Sequence, residues 1–145
     1  MRHVAPAFVL LAALSSVDRS SLAQEKYRVI VNSTNPASEL KRDVVARLYL
    51  RKLRRWPDGK AAVPVDQSAT SAVGAAFARD VLGLSLGELR DYWLKQTLSG
   101  AAVPPTTRSS DHDVIEFVAA EPGALGYLQV GGSVPPEVKT VKVTP

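Results

Sequence analysis

The chain has 145 residues, a formal net charge of +4, no cysteine and two histidines. That length suits one domain with its own core, and the lack of thiols excludes disulfides, thiol nucleophiles and thiolate metal sites. The positive balance is mild: it helps attract anions and is weak support for a nucleic-acid partner.

Arg2 and His3 precede an apolar run, Val4 to Leu14, interrupted only by Pro6 and too short to span a bilayer comfortably. Ser21-Leu22-Ala23 offers small residues to signal peptidase, so residues 1–23 read as a signal peptide cleaved before Gln24. An uncleaved anchor or an internal helix is the competing reading. Asp18 and Arg19 follow the apolar run, however, and no second apolar segment comes after them. The expected product is a periplasmic or secreted single domain over 24–145 with no membrane anchor, and export argues further against nucleic acid. His112 is then the one histidine left, so no metal site and no cofactor are expected.

Tyr27 to Val31 is β-branched and aromatic, which predicts a strand. A helix is expected from near Ser38, with Leu40, Val44, Val45 and Leu48 at helical spacing. Pro57 and Gly59 make a turn, and Ala61 to Val65 a short strand. A helix over about 71–82 presents Val73, Phe77 and Val81 on one face and ends at Gly83. Ser85 and Glu88 form a capping box, which opens a helix with Leu89, Tyr92, Trp93 and Leu94 that stops before Gly100. Ala101 to Thr107 reads as a Pro-containing loop. Ser110 and Asp113 start another helix, with Val114, Ile115 and Val118 on its apolar face. Strands are expected at Ala124–Val130 and Val138–Val143. The order predicts an α/β fold, a mixed sheet with packed helices. Its predicted core comprises Val29, Val31, Val44, Leu48, Val63, Val65, Phe77, Val81, Trp93, Ile115, Val118 and Tyr127.

Six segments in order carry a family resemblance: Leu48-Tyr49-Leu50-Arg51-Lys52 with Trp56-Pro57-Asp58-Gly59-Lys60; Val63-Pro64-Val65-Asp66; Phe77-Ala78-Arg79-Asp80-Val81-Leu82-Gly83; Tyr92-Trp93; Ser99-Gly100; and Glu121-Pro122-Gly123-Ala124-Leu125-Gly126-Tyr127. Together they resemble the phosphate-binding proteins of ABC importers, within the type 2 periplasmic binding fold. The likeness runs over roughly residues 27–128 and implies a single-lobe-sized, non-enzymatic solute-binding-like protein. Arg51 stands where the family has a glycine. Ser68-Ala69-Thr70 matches its Ser-Gly-Thr, and Asp66-Gln67 precedes that stretch in place of an arginine. Ala69 removes a glycine that would admit an oxyanion close to the backbone, so weak binding is implied.

Gln67, Ser68, Thr70 and Ser71 are the candidate ligands for phosphate or another oxyanion, through hydroxyls and the free N–H groups of a helix start. The bland alternative is an ordinary N-cap. Arg47, Arg51, Lys52, Arg54 and Arg55 read mainly as a solvated helix end, with an anion or partner contact as the rival. Asp111-His112-Asp113 reads as an acidic first turn, not as catalytic chemistry. The favoured function is oxyanion binding linked to an ABC importer. The alternative is a protein-interaction module, docking another protein or a second copy through the exposed lobe face.

Overall fold

The computed structural model describes residues 26–68 and 70–145. The leader read over 1–23 and its cleavage point lie outside the described residues. The elements are β1 (Tyr27–Asn32), β2 (Glu39–Lys41), α1 (Arg42–Tyr49), β3 (Val63–Gln67), α2 (Ala72–Phe77) continued by a π-helical turn (Ala78–Leu82), α3 (Leu86–Leu98), β4 (Thr106–Arg108), α4 (Asp111–Ala120), β5 (Ala124–Gln129) and β6 (Val138–Thr144).

The six strands form one mixed sheet in the order β2-β6-β1-β5-β3-β4. β1 runs antiparallel to both neighbours, with Val29 opposite Tyr127 of β5 and Val141 of β6. β3 runs parallel to β5 and to β4, and β2 parallel to β6. β1 and β5 are central and covered on both faces, so their apolar residues run on nearly without polar alternation. One face packs Val29, Val31, Leu125 and Tyr127 against Val45 and Leu48 of α1 and Val73 and Phe77 of α2. The other packs Ile30, Val65 and Leu128 against Val114 and Val118 of α4. The predicted mixed sheet with packed helices is the observed fold.

Several boundaries differ from expectation. The first helix begins at Arg42, because Glu39–Lys41 pairs with β6 as an edge strand. Thr106–Arg108, whose first two residues fall in the loop expected over 101–107, adds to the other edge beside β3. Both are three-residue strands whose register comes from distant partners, so no local period announces them. The helix over 72–82 buries Val73, Phe77 and Val81 as expected and ends at Gly83 in the left-handed region, φ 69°, but its last turn is π-helical. Four predicted core residues, Val44, Val63, Trp93 and Ile115, are only half-buried. No described residue of α3 is buried, so the aromatic pair Tyr92-Trp93 packs on the surface of the body.

Candidate functional site

The predicted site lies where β3 leaves the sheet and α2 begins. Successive strand residues alternate between faces, and Asp66 and Gln67 part company accordingly. Asp66 belongs to the α2 side. Its carboxylate accepts from the Tyr127 hydroxyl and from the Gln67 backbone N–H at 2.8 Å. Burial pushes the Asp66 pKa up, and these two hydrogen bonds to the charged form work against that. Burial, aided by the neighbouring Asp66 charge, drives the Tyr127 hydroxyl far above the ordinary tyrosine range. Tyr49 from α1 closes the cluster, its hydroxyl donating to the Val65 carbonyl at 2.9 Å.

Gln67 is 5% exposed. Its amide donates to Asp111 Oδ1 at 2.7 Å and to the Tyr127 carbonyl at 2.9 Å. Asp111 Oδ2 also accepts from the Gln129 N–H at 3.1 Å. The side-chain donors of Gln67 therefore tie β3 to α4 and β5.

Ser71 is the N-cap of α2. Its hydroxyl accepts from the Gly74 N–H at 3.0 Å and donates to the Ser68 carbonyl at 2.7 Å. A Cβ on Gly74 would lie 2.7 Å from the Ser68 carbonyl oxygen, so this close loop–helix approach requires glycine. Ser68 Oγ and Thr70 Oγ1 lie 2.9 Å apart in an exposed contact. Of the four candidates, Gln67 and Ser71 are engaged in holding the fold. Ser68 and Thr70 bring two accessible hydroxyls together at the start of the helix, beside first-turn N–H groups that have no intrahelical acceptor.

Behind this loop is a cavity of about 20 Å³, lined by Asp66, Gln67, Gly74 and Phe77 and roofed by Leu86 and Leu89 of α3. A larger groove, about 690 Å³, lies elsewhere, between the start of β1, the end of β6, Arg42 and Asp80, and takes in none of the four candidates. Its size carries no functional weight against the residue chemistry of the β3–α2 loop.

The cation cluster is largely a set of backbone staples. Arg51, a non-glycine residue at φ 59°, reaches the Ala62 carbonyl at 3.3 Å. Arg54 donates to the Ala101 carbonyl at 2.6 Å and Arg55 to the Gly59 carbonyl at 2.8 Å. Arg47 pairs loosely with Asp43 on the same helix, at 3.8 Å. His112 is exposed and lies 3.7 Å from Glu116. Among the described residues no group of His, Asp and Glu could hold a metal ion. The Asp66–Tyr127 pair escaped sequence reasoning, which placed Tyr127 in the core and treated Asp66 only as a charge near the loop. Its one local signal is a lone carboxylate at the end of an otherwise apolar strand.

No family model and no curated protein sequence matches the chain. Solved structures do. A phosphate ABC transporter substrate-binding protein with bound phosphate from Clostridium perfringens superposes with a TM-score of 0.64 at 20% identity, over 81% of this chain and 44% of that one. An ABC-type phosphate transport receptor from Vibrio cholerae gives 0.63 at 19% identity, over 81% and 46%. PstS from Borrelia burgdorferi gives 0.63 at 12% identity, over 81% and 47%. The chain thus has the fold of part of such substrate-binding proteins and spans less than half their length.

Proposed function

We propose that this protein is an exported, non-enzymatic solute-binding-like protein that binds phosphate or a related oxyanion weakly at the β3–α2 loop, in the periplasm and in connection with an ABC importer. The observation that carries this reading is the pairing of the exposed Ser68 and Thr70 hydroxyls at the start of α2, in a fold shared with phosphate-binding transport proteins. A helix start with two convergent hydroxyls suits a tetrahedral anion. Three features keep the affinity low. Ala69 stands where a glycine would bring the backbone closer. No arginine precedes the loop, and Asp66 places a carboxylate nearby. The expected affinity is micromolar to millimolar, a binding free energy of roughly −4 to −8 kcal/mol. Calorimetric titration of the refolded, dialysed protein with phosphate and with sulfate tests this; saturable heat is expected, and its absence for both anions overturns the reading.

One observation favours the second reading, a protein-interaction module. α3 and the loop after it expose Leu94 at 58%, Leu98 at 79% and Val103 at 63%. Apolar side chains gathered on one protruding element suit a protein partner better than water. A chain that stays silent toward both anions while forming a concentration-dependent assembly in sedimentation would support this second reading.

A further inference from the structure

The β1–β6 ladder stops short. Its last register pair is Val29 with Val141. Beyond that pair β1 goes on with β5 as far as Tyr27, and β6 with β2 as far as Thr144. The groove of about 690 Å³ opens where the two strands part. Four cations line it: Lys26 and Arg28 at the start of β1, Lys142 near the end of β6, and Arg42 at the start of α1. The one carboxylate of the lining, Asp80, is engaged by Arg79 at 3.1 Å. Glu39 of β2 stands opposite Lys142 in register but makes no ion pair with it.

These charges are poorly used by the fold. Lys26, Arg42 and Lys142 are exposed, and among the described residues none of the three has an ion pair or a side-chain hydrogen bond. Arg42 occupies the first position of α1, whose N-cap Lys41 supplies no side-chain cap. A cation there opposes the helix dipole, and the first-turn N–H groups lack intrahelical acceptors. Arg28 is held by the Gly131 and Gly132 carbonyls, at 2.7 and 3.1 Å, while its enclosed Nε has no acceptor.

We propose that this groove takes an acidic, extended segment of a partner protein. The cations are spread over β1, β6 and α1, so they call for several negative charges on one ligand. Phosphate carries no more than about two. A run of Asp and Glu carries more, and in an extended chain every second side chain recurs on one side at about 7 Å, which reaches cations on separate elements. The parted ladder suits a peptide backbone as well, because β6 has no register partner on the β1 side beyond Val141. Main-chain hydrogen bonding along such an edge is an established mode of peptide capture.

The inference is independent of the β3–α2 loop. The test is a titration of the full chain with a capped octapeptide of alternating Glu and Val, followed by backbone amide shifts. Saturable shifts are expected at residues 26–29, 42 and 140–143, and the affinity should fall by about tenfold as salt rises from about 20 to 200 mM. The Arg42→Glu, Lys142→Glu double variant should bind about tenfold more weakly or worse. Arg42→Glu alone should unfold at the parent's temperature or above, because a carboxylate suits a helix start. If the double variant does not fold, Lys142→Glu at its exposed strand position serves in its place, with a loss of about threefold. Shifts that are absent or centred elsewhere overturn the proposal. So does undiminished affinity in the variants, or equal binding of a peptide with Lys in place of Glu.

Discussion

The Tyr127 hydroxyl, on a strand 61 residues away in sequence, donates to the carboxylate of Asp66. This contact lets an acidic side chain end an otherwise apolar strand inside the fold. Burial raises the Asp66 pKa above that of an ordinary aspartate. Over the window from about pH 4 up to that raised value the native state holds more protons than the unfolded chain, so stability falls as pH rises. Tyr127→Phe removes one of the interactions that lower the pKa. It should destabilise the protein by about 1–3 kcal/mol, and by more above the Asp66 titration than below it. Urea unfolding at several pH values checks this; a loss that does not grow with pH contradicts it.

Phe77 is the hub of the aromatic core, stacked on Tyr127 at 3.9 Å and edge-on to Tyr49 at 4.7 Å. Being 1% exposed, it should cost about 3–5 kcal/mol when cut to alanine. A loss under about 1 kcal/mol in denaturant melts would show that the packing around it collapses without penalty.

Gly123 opens β5 against backbone. A Cβ there would come within 2.0 Å of the Ala61 carbonyl oxygen, and the Gly123 carbonyl accepts both the Val63 N–H at 2.9 Å and the Trp56 indole N–H at 2.9 Å. Gly123→Ala should therefore cost at least about 1–3 kcal/mol, as overpacking does. Thermal unfolding that matches the parent would refute the close approach.

The two serines of the candidate loop should separate cleanly. Ser71→Ala removes an N-cap and should cost about 1 kcal/mol. Ser68→Ala with Thr70→Ala removes only exposed hydroxyls and should shift stability by no more than about 0.5 kcal/mol. Comparing the two by chemical denaturation decides which hydroxyls belong to the fold. Equal losses would mean that Ser68 and Thr70 also bear structure.

Much of the fold was legible locally. β1, β3 and β6 announce themselves by β-branched residues and β5 by an apolar run after the Glu121-Pro122-Gly123 turn, and Ser85, Ser110 and Gly83 mark helix ends as capping chemistry dictates. What escaped was set by distance. Leu40 fits a helical period, yet its segment is claimed by β6 across some hundred residues. Trp93 looks like core, but nothing in its neighbourhood reveals that α3 lies outside the sheet's apolar faces. The candidate site divides in the same way. Ser71 is readable as a cap because its partner is three residues on. The role of Gln67 depends on Asp111, 44 residues away, and no periodicity encodes that contact.

The measurement that tests oxyanion binding at the β3–α2 loop most directly is a phosphate titration followed by backbone amide shifts, in the parent and in the Ser68→Ala, Thr70→Ala double variant. Saturable shifts centred on residues 67–74 are expected in the parent, with an affinity in the micromolar-to-millimolar range, and they should vanish in the double variant while the remaining spectrum stays in place. Shifts centred elsewhere, or undiminished in the double variant, would contradict the account.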